Sequence, residues 1–157
     1  MFSQFIIGLI LSFLPISELR VGLPLVINYA IKNSIPIAPI FILVLAINIS
    51  AIFFAFLFLE FVHHRLIKFK FYKNSIGKLI TRSKRKADKL EKRMSTIGYL
   101  ALMFLVAIPL PGTGAWTGVL FSWTLGLNKK KSIIAISAGV MAAGTIILLL
   151  SLGFLSL

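Results

Sequence analysis

Cysteine is absent from this 157-residue sequence, and acidic residues are scarce. Without cysteine the chain can form no disulfide, no thiol nucleophile and no cysteine-ligated metal centre. Four Asp and Glu residues oppose seventeen Lys and Arg residues, which gives a formal net charge of +13. The HExxH, P-loop and GxSxG motifs are missing as well. We therefore expect no enzyme, no metal site, no bound cofactor and no transport driven by ATP hydrolysis within the chain.

Apolar residues dominate what is present. They make up 59% of the chain, against about 45–50% in soluble domains, and the mean hydropathy is +1.00. Twelve basic residues lie between His63 and Thr96, and three more form the run 129–131. Basic clusters beside apolar segments mark the cytoplasmic side of a membrane and contact anionic lipid. The composition predicts an all-α, multi-pass protein of the cell (inner) membrane with both basic segments cytoplasmic, rather than a nucleic-acid-binding protein.

Two of the four apolar blocks are continuous, at 35–62 and 132–157. At about 1.5 Å per residue each is long enough to cross a hydrocarbon core of about 30 Å as a tilted helix. They are the predicted transmembrane (TM) helices.

The other two blocks, 2–31 and 97–127, are interrupted by proline and glycine at 15–24 and 108–118. Proline removes a backbone donor and glycine loosens a helix, so each block should form two half-helices around a turn. A half-helix of about 10–12 residues reaches only the middle of the bilayer. Each block is therefore either a re-entrant hairpin or a single kinked span.

Charge favours the re-entrant alternative. If both interrupted blocks crossed the bilayer, the basic insert 63–96 and the run 129–131 would lie on opposite sides. If both return to the side they entered, the two basic segments share one side, with both termini outside. The chain would then be an inverted repeat of hairpin plus TM helix, in which broken segments meet near the midplane. Two complete spans can enclose only a small part of a transport pathway, so we expect a homodimer.

The basic insert carries an amphipathic pattern. Its apolar residues recur at spacings of three, four and seven, with basic residues between them. The pattern predicts a helix lying along the membrane surface. No base-reading motif accompanies it.

Glu18 and Arg20 are the unusual residues of the first interrupted block, "PISELRVGLP". An ion at the bilayer centre costs at least about 2.5–3.5 kcal/mol, so such residues pair, face a cavity or serve a substrate path. One interpretation is a buried ion pair that pins the turn. The other is a ligand or proton site, to which the neighbouring Gly22 and Pro24 would contribute backbone shape.

The second interrupted block, "IPLPGTGAWTG", is uncharged and rich in accessible backbone and hydroxyl groups. A glycine-rich turn that opens a half-helix offers free N–H groups to an anion. The alternative is close helix packing through the small residues of the GxxxG spacing. We expect this turn to face the charged turn of the first block, and its candidate residues are Pro109, Pro111, Gly112, Thr113, Gly114, Trp116, Thr117 and Gly118. Asn48 and Ser137 could line the pathway or hydrogen-bond between helices.

These two blocks, "LPISELRVGLPLVINYA" and "GYLALMFLVAIPLPGTGAWTGVLFSWTLGLNKKKSIIAISAGV", resemble the putative small multidrug export family over nearly the whole chain. That resemblance implies a small membrane exporter. The paired hairpins around a charged turn are also similar in architecture to the DedA and VTT membrane proteins, which implies movement of lipid-linked phosphates. The arginine of the second DedA motif has no counterpart in 109–118.

Three functions follow as hypotheses. The chain could be a secondary exporter of small amphipathic cations, with Glu18 as a binding carboxylate coupled to protons or sodium. It could be a translocase for an anionic, lipid-linked or phosphate-bearing substrate, with Arg20 and the turn N–H groups as the anion site. It could also be a membrane scaffold that transports nothing.

Overall fold

The computed structural model describes residues 2–15, 17–66, 94–110 and 112–155. Within these residues the chain is all-helical. Its helices are α1 (Phe2–Phe13), α2 (Glu18–Lys32), α3 (Ile37–Leu66), α4 (Met94–Ala107), α5 (Ala115–Thr124) and α6 (Lys129–Leu155). The basic insert predicted at 63–96 falls largely on residues 67–93, outside the described residues, so its amphipathic helix stays a prediction.

Two of these helices, α3 and α6, have the length and hydropathy of membrane spans. The spans Ile37–Arg65 and Lys129–Gly153 have hydropathies of 2.8 and 2.5. They lie within a few residues of the predicted TM helices. The two helices run antiparallel, because Gly144 packs against Leu45 near their middle while Lys129 bonds Glu60 at one end.

Helices α1 and α2 pack against each other in antiparallel directions. The rings of Phe5 and Tyr29 lie 5.4 Å apart between their centroids at one end. Towards the turn, Gly8 and Gly22 allow the backbones to meet, since a Cβ on Gly22 would lie 2.0 Å from the hydroxyl of Ser12. The close contact explains why small residues occupy this face.

Helices α4 and α5 form a second antiparallel pair. A Cβ on Gly118 of α5 would lie 2.8 Å from Val106 of α4, and Gly98 at the other end faces Leu127. The α4 helix also packs beside α6, where the carbonyl of Met103 lies 2.6 Å from the Cβ position of Gly139. Glycine is therefore required at positions 118 and 139, whereas position 98 has room for a Cβ.

The structure differs from the sequence prediction in where the first helix pair is broken. The prediction left all of 15–24 outside a helix, but α2 begins at Glu18 and continues through Pro24. Pro24 removes only the N–H that would bond the carbonyl of Arg20, and membrane helices tolerate such a loss. Only residues 14–17 separate the helices, so the two charged residues lie in the first turn of α2.

The core lies where α2, α3, α5 and α6 meet. Fully buried side chains include Leu23, Ile27, Ile52 and Val140, whereas large apolar side chains such as Ile134, 71% exposed, cover the outside. In water so much exposed apolar surface would be unfavourable. It suits a protein whose outer face contacts lipid.

Candidate functional site

The carboxylate of Glu18 caps the N-terminus of α5. Its Oε2 accepts a hydrogen bond from the backbone N–H of Ala115, and its Oε1 accepts one from the N–H of Trp116, each at 3.1 Å. The first turn of a helix leaves its N–H groups without partners and carries a partial positive charge. The N-cap residue of α5, Gly114, has no side chain to satisfy them. A carboxylate 97 positions earlier in the chain does so instead.

The backbone of Glu18 is held in an uncommon conformation. Its φ of 45° lies in the left-handed region, which costs a residue with a Cβ about 1–2 kcal/mol. Such conformations persist where the surrounding structure fixes them. The side chain is 5% exposed, so contacts on all sides hold the carboxylate in place.

Gly114 is the residue that makes room for this carboxylate. A Cβ built on Gly114 would lie 1.5 Å from Glu18 Oε2 and 2.2 Å from its Cδ. No side chain could be accommodated without moving the carboxylate. Glycine is therefore required at position 114, because the carboxylate of Glu18 occupies the space that a side chain would need.

Arg20 makes the second connection between the two turns. Its Nη2 donates to the backbone carbonyl of Thr113 and to the hydroxyl of the same residue, the latter at 2.9 Å. That hydroxyl lies 2.9 Å from the carbonyls of Ile108 and Leu110, one of which takes its proton. The guanidinium thereby fixes the non-helical segment between α4 and α5.

Glu18 and Arg20 do not pair with each other. The salt bridge found among the described residues joins Lys129 and Glu60, at 2.8 Å. The buried Glu18 and the half-buried Arg20 each bond the opposite helix pair instead, as expected of neighbours two apart on a helix, whose side chains diverge. The ion pair considered from the sequence is not formed.

Trp116 adds a third link. Its indole N–H donates to the carbonyl of Phe13 at 3.0 Å, which satisfies one of the last carbonyls of α1. Its ring packs edge-on against Phe54 and Phe58 of α3. The start of α5 is thus attached to α1, α2 and α3 together.

The remaining candidates have packing or turn roles. Gly112 has a φ of 84°, which favours glycine, and its carbonyl accepts the hydroxyl of Thr117 at 2.7 Å. Gly22 and Gly118 sit at close helix contacts. Ser137 is half-buried on α6 and lines neither cavity described below, and Pro111 lies outside the described residues.

We call the contact of Glu18, Arg20 and Thr113 with the start of α5 the junction of the two helix pairs. A groove of about 490 Å³ opens beside this junction. Its wall is apolar except for Arg20, Asn28 and Ser151, and no carboxylate is among the described residues that line it. Pro24 of α2 and Pro109, which follows α4, contribute one proline from each helix pair. The lining residues are Arg20, Pro24, Leu25, Asn28, Pro109, Ile147, Leu150 and Ser151.

Sequence reasoning missed Asn28 and Ser151. Asn28 lies eight residues after Arg20 and four after Pro24, a spacing that places all three on one face of α2. That signal was available once α2 was known to be continuous. Ser151, on α6, comes to the groove only through tertiary packing.

A comparison of the chain with models of known protein families found a match. The family model described as "Putative small multi-drug export protein" matches residues 18–146. The match begins at Glu18 and includes the second turn and most of α6. Neither a search of curated proteins nor a search of solved structures found a match to the chain.

Proposed function

The chain belongs to the putative small multi-drug export family, and we propose that it is a secondary transporter of an amphipathic anion. The substrate would occupy the 490 Å³ groove beside the junction of the two helix pairs. The observation that carries the proposal is the wall of that groove, which is apolar and holds the Arg20 guanidinium. We take the two helix pairs to be re-entrant hairpins and the chain to be an inverted repeat.

Helix length supports the re-entrant interpretation. Helices α1, α2, α4 and α5 have 12, 15, 14 and 10 residues, or about 15–22 Å at 1.5 Å per residue. None of them alone matches a hydrocarbon core of about 30 Å. A pair that enters and returns on one side needs no such length.

The ends of the helices support the topology. Glu60 near the end of α3 bonds Lys129 at the start of α6, so the insert that follows α3 leaves from the end where α6 begins. The hydroxyl of Tyr99, early in α4, accepts a hydrogen bond from the N–H of Asn128 at 3.0 Å, which puts the start of α4 at this end as well. Both basic segments then share one side, and the positive-inside rule makes that side cytoplasmic.

The charges around the groove favour an anion over a cation. A cation site would need a free carboxylate, but both oxygens of Glu18 accept backbone N–H groups and the residue does not line the groove. Arg20 does line it, and although its Nη2 bonds Thr113, its positive charge and its remaining N–H donors suit a carboxylate or phosphate. The apolar remainder of the wall suits an acyl or prenyl chain.

Glu18 provides a means of coupling to protons. As a carboxylate it accepts two N–H groups of α5, whereas a protonated carboxyl would lose much of its attraction for a helix N-terminus. Protonation would then release the link between Glu18 and the start of α5, so that the second hairpin could pivot on the contacts that remain. We propose this as the coupled step.

Reconstitution in proteoliposomes tests the transport proposal. We expect proton-dependent translocation of a polyprenyl phosphate and little uptake of tetraphenylphosphonium, a lipophilic cation. Arg20→Gln should abolish translocation, and Lys32→Gln, which removes a cation from the exposed end of the same helix, should not. Uptake of the cation alone would favour the exporter named by the family. Transport of neither probe by a correctly inserted protein would favour a scaffold.

Labelling of introduced cysteines tests the topology. The chain contains no cysteine, so Asn74→Cys in the insert and Lys130→Cys at the start of α6 can each be labelled alone. Lys130 is preferable to Asn128, whose side chain caps α6 through the N–H groups of Lys130 and Lys131. Both should react from one side, and Lys32→Cys from the other. Reaction of Asn74→Cys and Lys130→Cys from opposite sides would refute the re-entrant arrangement.

A further inference from the structure

A second, much smaller cavity lies against the buried junction. Its volume is about 10 Å³, close to the space that one water molecule needs. Three polar residues line it, namely Glu18, Arg20 and Asn48, and the rest of its wall is glycine and apolar side chains from α2, α4, α5 and α6. A space of this size is suited to one small polar molecule.

Asn48 brings a buried acceptor to this cavity. The residue is 1% exposed, and its Nδ2 donates to the carbonyl of Ser12 at 2.7 Å. That bond fixes the orientation of the amide, because the reversed orientation would bring two oxygens together. Its Oδ1 is buried and has no hydrogen-bond partner among the described residues.

Arg20 brings a buried donor. Its Nη2 is committed to Thr113, but its Nε is buried without a partner among the described residues. A buried polar group without a partner costs about 1–3 kcal/mol, so most such groups bond protein or ordered water. An acceptor and a donor, both unsatisfied, thus belong to residues that line one cavity.

We propose that this cavity binds a single water molecule, which accepts from Arg20 Nε–H and donates to Asn48 Oδ1. Its second O–H is then available to the carboxylate of Glu18. Three hydrogen bonds are usual for a buried water. A guanidinium in the wall disfavours a metal cation in the same place, because like charges repel strongly at this depth.

The water would also connect Glu18 to the groove. Arg20 lines both cavities, whereas Glu18 lines only the small one. We take this water to be the carrier of a proton that reaches Glu18 from the groove, and Asn48 to be the residue that positions it. Arg20 is the only other ionisable group among the described residues that line the small cavity. This consequence for coupling rests on the proposed function, but the water site does not.

A crystal structure of the full chain in a lipid mesophase, at a resolution that shows ordered water, tests the site directly. We expect a solvent peak within hydrogen-bond distance of both Asn48 Oδ1 and Arg20 Nε. Infrared difference spectra after exchange into H₂¹⁸O should show the matching isotope-shifted O–H band. Absence of the peak, with the two groups bonded to other protein atoms, would overturn the proposal.

Two variants make the test independent of one substitution. Asn48→Leu removes the acceptor, and Ala143→Val adds two methyl groups to the apolar wall without changing a polar group. The peak and the band should be lost in both, and kept in Ser137→Ala, which changes a serine of the same helix that does not line the cavity. If Asn48→Leu does not fold, the solvent peak and the O–H band of Ala143→Val alone test the water site. A band that survives Ala143→Val refutes the site.

These readouts need no substrate, so they separate the two proposals. A wild-type protein that shows the water but translocates no probe would contradict the proposed function and leave the water site standing. A protein that transports the probe but shows no water would contradict the water site and leave the proposed function standing.

Discussion

Substitution of Gly114 by alanine should break the cap that joins the two helix pairs. The added Cβ would lie 1.5 Å from Glu18 Oε2, a distance that no relaxation of the methyl group can relieve. The carboxylate must leave, and with it the bonds to Ala115 and Trp116. Two charge-assisted hydrogen bonds at about 1.5 kcal/mol each, the low end for soluble proteins, predict a loss of about 3 kcal/mol.

A double-mutant cycle measures whether the loss has this cause. Unfolding in SDS should be followed for the wild type, Gly114→Ala, Glu18→Ala and the double variant, in mixed micelles. Once Glu18 is alanine, the clash and the two bonds are gone, so the glycine substitution should cost little more. We expect a coupling energy of at least about 1.5 kcal/mol, near the largest values measured for hydrogen bonds in membrane proteins.

Gly98→Ala is the matched control. Its Cβ would meet nothing closer than the side chain of Leu127, at 3.7 Å, and alanine is a better helix former than glycine by about 1 kcal/mol. We expect unchanged or higher stability. Additive losses in the cycle, or equal losses for Gly114→Ala and Gly98→Ala, would refute the idea that the glycine serves the carboxylate.

Three further substitutions test the contacts around the junction, each by the same SDS unfolding. Trp116→Phe keeps an aromatic ring but removes the N–H bond to the carbonyl of Phe13 and part of the packing on α3, and should cost at least about 1 kcal/mol; no change would mean that the bond contributes nothing. Gly22→Ala places a Cβ 2.0 Å from the hydroxyl of Ser12 and should cost about 1–3 kcal/mol through forced separation of α1 and α2. Lys129→Gln breaks an ion pair whose side chains are about half exposed and should change stability by less than about 1 kcal/mol, with the difference shrinking as salt is added.

The two long apolar helices could be predicted from the sequence because their signal is local. A long apolar run without charge has few alternatives to a spanning helix, and α3 and α6 agree with the predicted blocks within a few residues. The break at 15–24 was predicted too long. Proline and glycine lower helix propensity, but they do not decide between a kink and an end, and packing against α1 favours a helix from Glu18 onwards.

The sequence predicted that the two interrupted segments face each other, but it did not predict which groups bond across the contact. The sequence placed a carboxylate and a guanidinium in one turn and free N–H groups in the other. It could not show that these N–H groups bind Glu18 rather than a ligand, because the partners are 97 and 98 residues apart. One local signal did exist. A helix whose N-cap is Gly114 lacks a capping side chain, which indicates that its first N–H groups bond an acceptor from elsewhere.

The proposed proton coupling predicts that changes to the two charged residues, Glu18 and Arg20, have different effects. The bonds of Glu18 to α5 weaken on protonation, whereas the guanidinium of Arg20 stays charged and keeps its hold on Thr113. Protonation should therefore let α5 pivot about Thr113 without separating the two helix pairs. Glu18→Gln, a permanent imitation of the protonated carboxyl, should lose proton-driven translocation yet retain exchange of substrate across the membrane, while Arg20→Gln should lose both. Proteoliposomes loaded with unlabelled polyprenyl phosphate and assayed for exchange without a pH gradient distinguish the two, and an equal loss of exchange in both variants would contradict the pivot.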